Sequence, residues 1–296
     1  MIYFLLLIPI YLIINHYLNL AKKEIEWYNH ISSFKIDVDN YYNIENDVND
    51  ITVIKGNKLV DGVGPVTIAQ FILHSNNTDE IKKIADACIL KYKLDIKCLL
   101  YYDYNFESHN QIAPWHSPMA QGQMASAFLK IHRKTKNVKY LEIAIKLLDE
   151  IQENSEKLQF SIKTKNNGLW FNEYPGDDKL VLDGFLTTLA GYYDLYKYTK
   201  KKRFRGFLNK GIQCLEDNLT LFKKPFHGFY YHSKRGQLSF DYLNYNYALV
   251  CYLSEYHIFF KDMKKLFNKP TILQLMLSKI IDSLLFHFKL PFKKLI

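Results

Sequence analysis

Glu173 is followed directly by Tyr174, and three separated segments carry similar chemical equipment. The first ends in Pro114-Trp115-His116-Ser117 and the second reads Gly168-Leu169-Trp170-Phe171-Asn172-Glu173-Tyr174-Pro175. The third reads Gly228-Phe229-Tyr230-Tyr231-His232, turns through Lys234-Arg235-Gly236 and reaches Phe240-Asp241-Tyr242. A carboxylate takes up a proton when burial raises its pKa, and a phenol, with a reference pKa of about 10, gives one readily. As a base the phenol needs nearby cations, and His232, Lys234 and Arg235 follow the tyrosines. The set suits proton transfer better than glycoside hydrolysis, which needs two opposed carboxyls, here Glu173 with Asp177, Asp178 or Asp183.

The elements that must position these groups are helices. Apolar residues recur at three- and four-residue spacing in 65–74, 79–92, 117–133, 138–151, 180–199, 204–222 and 244–260. Links within pairs are short (75–78, 134–137, 200–203), and links between pairs are long and strand-like (95–116, 154–179, 223–241). Alternating short and long connections predict an incomplete α/α toroid, mainly α, with short β-hairpins on the long loops at one rim. The chemistry then belongs at that rim, and the basic turn Lys200–Arg203 at the opposite end.

Ser117-Pro118 opens the third helix, with the serine oxygen expected to cap it. Its first turns hold Gln121, Gly122 and Gln123. Gly122 implies either a closely packed neighbouring helix or a cavity lined by amides and glutamines that would seat an anion.

The 296 residues and 48% hydrophobic content provide a sizeable core, and only 12 glycines and 8 prolines argue against a many-stranded sandwich. A net charge of +9 fits an acidic polymer, while no zinc-finger or RNA-binding signature supports nucleic acid. Cys88, Cys98, Cys214 and Cys251 form no CxxC pair, so neither a metal site nor a disulfide framework is expected. Residues 1–21 are apolar and long enough for a single membrane anchor, with Lys22 and Lys23 favouring a cytoplasmic location for the rest. Residues 22–61 form a short mixed lead-in containing a strand at 51–55, residues 62–268 the helical domain, and residues 269–296 a basic amphipathic helix.

Six stretches resemble, in order, the C-terminal domain of the D-glucuronyl C5-epimerase family: PVTIAQF (65–71), WHSPMAQGQ (115–123), NEYPG (172–176), LVLDGFLTTLAGYYDL (180–195), GFYYH (228–232) and DYLNYN (241–246). The resemblance implies an α/α barrel that inverts C5 of glucuronic acid within a polysaccharide, giving iduronic acid, with no organic cofactor. It implies Glu173, Tyr174, Tyr230 and Tyr242 as catalytic residues: Glu173 or Tyr174 on one face of the sugar, Tyr242 on the other. Tyr230 and Gln121 would hold the carboxylate, and Trp115, His116, Gln123, His232, Lys234 and Arg235 would complete the substrate rim. Relatives carry histidines after the last tyrosine, where this chain has Leu243 and Asn246. The expected partner is an acidic, glucuronate-containing polysaccharide, with membrane association and a homodimer left open. A polysaccharide lyase and a non-catalytic glycan-binding or assembly protein are the rival readings.

Overall fold

Inner and outer helices alternate along the chain in the computed structural model, which describes residues 2–33, 63–164, 166–224, 226, 228–234, 236 and 240–288. The inner helices α2 (Pro65–His74), α4 (Pro118–Thr135), α6 (Leu182–Thr199) and α8 (Phe240–Leu253) lie side by side in that order. Each is followed by an outer partner: α3 (Thr78–Tyr92), α5 (Val138–Glu153), α7 (Lys202–Asn218) and α9 (Ile258–Lys265). The result is a mainly α, incomplete helical toroid. The helix α1 (Ile2–Ser33) packs on α10 (Ile272–Phe288) and touches α8. One antiparallel hairpin, β1 (Ser161–Lys163) with β2 (Leu169–Phe171), rises from the α5–α6 link, Ile162 opposite Trp170.

The outer helices bury one stripe. In α5 it is Tyr140, Ile143, Ala144, Leu147, Leu148 and Ile151, the spacing of a single helical face. By contrast α4 and α6 are buried almost throughout, because neighbours cover them on several sides. The short links form as the spacing predicts. Lys93, Lys136 and Lys200 end α3, α4 and α6 in the left-handed region, and the Asn77 and Asn137 side chains cap α3 and α5.

Several expectations are corrected. The helix expected over 244–260 is two helices, divided at residues 254–257, where the His257 ring accepts the Phe259 N–H and caps α9. Ser117 occupies the cap position of α4 with no side-chain cap bond, and its buried hydroxyl has no partner. The apolar run offered as a membrane anchor is the start of α1, and the side chains of its first ten residues lie outside the described part. Among the described residues no helix is long and apolar enough to cross a membrane. Further along α1, Ala21, Glu24 and Tyr28 are buried, and Glu24 pairs with Lys224 and Lys279. The strand expected at 51–55 and the basic end at Lys289, Lys293 and Lys294 lie outside the described residues.

The closest packing is between α4 and α6. A Cβ placed on Gly122 would stand 2.9 Å from the Thr188 Cα, and one on Gly191 would stand 2.5 Å from the Gly122 carbonyl oxygen. Of the two readings of Gly122, the packed neighbour is therefore the observed one. Gly191→Ala should lower the unfolding free energy by about 1–3 kcal/mol, the usual range for overpacking. Urea denaturation against Gly206→Ala, whose added methyl would meet nothing within 4 Å, checks it.

Candidate active site

The first long loop folds back on itself before α4. Tyr102 and Trp115 exchange backbone hydrogen bonds of 2.8 and 3.2 Å, and their rings stack at 3.9 Å. The Trp115 indole N–H donates to the Tyr104 carbonyl at 2.9 Å, and His116 Nδ1 bonds the Leu100 carbonyl at 2.6 Å. Gln121 has no exposed surface: its Oε1 accepts the Leu100 N–H, and its Nε2 donates to the carbonyls of Cys98 and Leu147. It pins the loop to α4 and α5, which corrects the expectation that it holds a sugar carboxylate. Gln123 is equally buried, its Nε2 donating to the Tyr245 hydroxyl at 3.2 Å.

The second loop continues from β2. Its turn closes with the Asp177 N–H on the Tyr174 carbonyl, 3.0 Å, and Gly176 at φ +81°. Asp177 meets His109 Nδ1 at 2.7 Å, the His109 ring stacks on Tyr174 at 3.8 Å, and Gln111 ties the carbonyls of His109 and Pro175 together. The first two loops are thereby locked edge to edge. Glu173 points down onto the first turn of α6, where a Cβ on residue 184 would lie 2.1 Å from its Oε2. Only glycine leaves room for this carboxyl.

The third loop is fastened to the start of α6 by Leu182 N–H to the Tyr231 carbonyl, 3.2 Å, and Ser233 N–H to the Leu180 carbonyl, 2.9 Å. Successive side chains of an extended segment point to opposite sides. Tyr230 is therefore directed toward α10, its hydroxyl donating to Asp282, and Tyr231 to the opposite side, its ring 4.6 Å from that of Tyr242. Tyr231 neighbours both Tyr174 and Tyr242, and Tyr174 neighbours Glu173. His232 sits at the same edge, its Nδ1 accepting the backbone N–H groups of Lys234 and Gly236. Lys234 pairs with Asp178 at the surface, and Arg235 lies outside the described residues.

The structure thus brings together Glu173, Tyr174 and Tyr242 with Tyr231, and it stacks Trp115 beneath the same rim. It does not bring Tyr230, Gln121 or Lys234 to Glu173. Tyr231, Asp183 and His109 are the additions. Asp183 is almost fully buried in the first turn of α6 beside Glu173, and among the described residues neither Glu173 Oε2 nor Asp183 Oδ1 has a hydrogen-bond partner.

Burial raises the pKa of Glu173 well above the carboxylate range, and the neighbouring Asp183 charge adds to it. Burial likewise raises Asp183, against the backbone N–H groups of residues 183 and 184. Tyr174, Tyr231 and Tyr242 are pushed above the usual phenol value by burial first and then by the nearby carboxyls. Proton donors are therefore kept protonated around two carboxyls whose ionisation burial disfavours.

Residues 95–269 match the family described as D-glucuronyl C5-epimerase C-terminus. The chain belongs to this family. A D-glucuronyl C5-epimerase of Caenorhabditis elegans is 38% identical over 82 residues, a match that takes in 27% of this chain and only 13% of that protein's length. A crystal structure of D-mannose isomerase aligns over 63% of this chain and 54% of its own, with a TM-score of 0.44 and 13% identity. The positions at which this epimerase-family chain carries Leu243 and Asn246 are both buried in α8, Asn246 with no partner among the described residues on either side-chain polar atom.

Replacing Gln121 by leucine strands the Leu100 N–H and the Cys98 carbonyl inside the protein. Each orphaned group costs about 1–3 kcal/mol. Urea unfolding of Gln121→Leu should show a loss of about 2–4 kcal/mol, with affinity for uronic acid polymers unchanged in the folded fraction.

Proposed function

We propose that this chain carries the helical catalytic domain, residues 62–268, of a polysaccharide uronosyl C5-epimerase that converts D-glucuronic acid residues to L-iduronic acid. The observation that carries the reading is the row of hydroxyls Tyr242, Tyr231 and Tyr174 running from the rim to the buried carboxyl of Glu173. Tyr242 is 41% exposed while Glu173 is 6% exposed, so the row joins solvent-facing and interior ends of one site.

The C5 hydrogen lies alpha to a carboxylate and is very weakly acidic. Its removal requires hydrogen-bond donors that meet the charge developing on the carboxylate oxygens. Phenols held neutral by burial are such donors. Glu173, ionised, takes the C5 hydrogen as a proton, and the electron pair of the broken bond passes into the sugar carboxylate as an enolate. Tyr242 then delivers its hydroxyl proton to the opposite face, forming the new C5–H bond and leaving a phenolate. In this assignment Tyr231 takes the position first given to Tyr230, and Tyr174 and Tyr231 orient the carboxylate. Lys179, 3.8 Å from Asp177, and Lys234 contribute positive charge at the rim toward an acidic polymer, in keeping with the net charge of +9.

A lyase would share the first step and then expel the C4 substituent, yielding an unsaturated sugar that absorbs in the ultraviolet. The expected outcome is deuterium incorporation at C5 of unsulfated or N-sulfated glucuronate polymers in heavy water, followed by NMR, with no such absorbance. Glu173→Gln, Tyr231→Phe and Tyr242→Phe should each lower the exchange rate by about 100- to 10,000-fold, the range for a lost general acid or base. Tyr230→Phe should leave it within about threefold of the parent, since its partner is Asp282.

A further inference from the structure

Two carboxyls are buried beside one another with no counter-ion among the described residues. Glu173 is 6% exposed and Asp183 is 2% exposed, and among the described residues no lysine, arginine or histidine lies within ion-pairing distance of either. Each presents an oxygen with no hydrogen-bond partner among those residues, Oε2 on Glu173 and Oδ1 on Asp183. They meet at Gly184, the neighbour of Asp183 in sequence, against which the Glu173 carboxyl is packed.

Among the described residues, the other titratable groups facing the pair are phenols. Tyr102 comes from the first loop, Tyr174 from the second, Tyr231 from the third, and Tyr242 and Tyr245 from α8. Tyr245 is itself held by Gln123 and Thr187. None of these brings a positive charge. Two adjacent ionised carboxylates in such surroundings would carry the desolvation cost of both and their mutual repulsion besides. One negative charge, by contrast, is accommodated by the amides that open α6.

We infer that Glu173 and Asp183 share a single proton at neutral pH, so that Asp183 is a positioning residue fixing the form in which Glu173 meets substrate. A singly protonated pair can either accept a proton or give one, the requirement of a reversible inversion. It also presents one charge rather than two to an incoming sugar carboxylate. The role toward substrate rests on the epimerase reading, whereas the shared proton does not.

Infrared spectroscopy of the full chain in heavy water reads the proton directly, without substrate. A protonated-carboxyl band should persist at about pH 7, well above the carboxylate reference value of about 4. It should shift when aspartate carboxyls and glutamate carboxyls are isotope-labelled in turn, and be lost or displaced in Asp183→Asn and in Glu173→Gln. Absence of the band in the parent protein at neutral pH, or a band indifferent to both labels, overturns the proposal whether or not the variants fold.

With C5 exchange as the readout, Asp183→Asn should move the alkaline limb of kcat/KM by about one pH unit or more, because an amide cannot lose the proton that the pair loses. That is about a tenfold difference in rate at pH values well above both midpoints. A uniform fall at every pH would mark Asp183 as structural only and reject the positioning role. No exchange with any polymer would remove the epimerase reading while leaving the infrared result to decide the pair.

Discussion

The close approach of α4 and α6 at Gly122 and Gly191 is the constraint from which the rim follows. Backbone meets backbone there, with the Gly191 Cα facing the Gly122 carbonyl and the Thr188 Cα facing Gly122. Both helices begin at the long-loop end and descend together, the first turns of α4 meeting α6 at Thr188 and Gly191. At the same level the Tyr245 hydroxyl receives the Gln123 amide and meets the Thr187 hydroxyl at 2.8 Å, which adds α8 to that layer. Three inner helices are thereby joined near their long-loop ends, and the loops leading into them converge. A side chain on either glycine would separate α4 from α6 and, with them, the loops that carry Trp115 and Glu173.

The polar interior of the rim is costly, and the structure offsets the cost locally. Glu173 and Asp183 lie against the amides at the start of α6, where an 18-residue helix offers unpaired N–H groups. His109 and Asp177 are buried but paired with one another, and the His109 ring covers one face of Tyr174. The Tyr174 ring is thus fixed by stacking while its hydroxyl stays available to Glu173. Rigidity around the phenols and exposed charge around Lys234 and Asp178 divide the rim into a positioned interior and a solvated edge.

Periodicity was sufficient for the architecture because each outer helix presents one continuous apolar stripe and each short link carries its own cap. It joined α8 to α9, since Leu253, Tyr256 and Phe260 remain in helical phase across a break that only the His257 cap reveals. The site was legible as a set of loops, and Glu173 with Tyr174 could be read directly. Which of Tyr230 and Tyr231 faces the carboxyl could not, because a two-residue alternation gives opposite faces without saying which is inside. Gln121 misled for a related reason: a glutamine near a helix start offers the same donors to a ligand or to a loop, and here Cys98, Leu100 and Leu147 take them. Asp183 was named only as one of three aspartates that could oppose Glu173 in a hydrolase. Its significance depends on Glu173 arriving from another loop, and Gly184, the small residue that admits that carboxyl, was the one local sign.

A two-sided inversion leaves an enzyme in a different protonation state from the one in which it began. On the proposed reading, the forward step ends with an extra proton at Glu173 and a phenolate at Tyr242, and a second forward turnover requires the reverse distribution. A phenolate is a far stronger base than a carboxylate, so the return is downhill, and burial steepens it by disfavouring the phenolate. Tyr174 and Tyr231 stand between the two ends. Each can pass its proton toward Tyr242 while receiving one from the Glu173 side, so no ionised phenol needs to persist inside the protein. The same buried tyrosines that are too weakly acidic to serve as bases at rest are therefore well suited to restoring the site between turnovers, which gives a chemical reason for a row of phenols where a single one would complete the inversion.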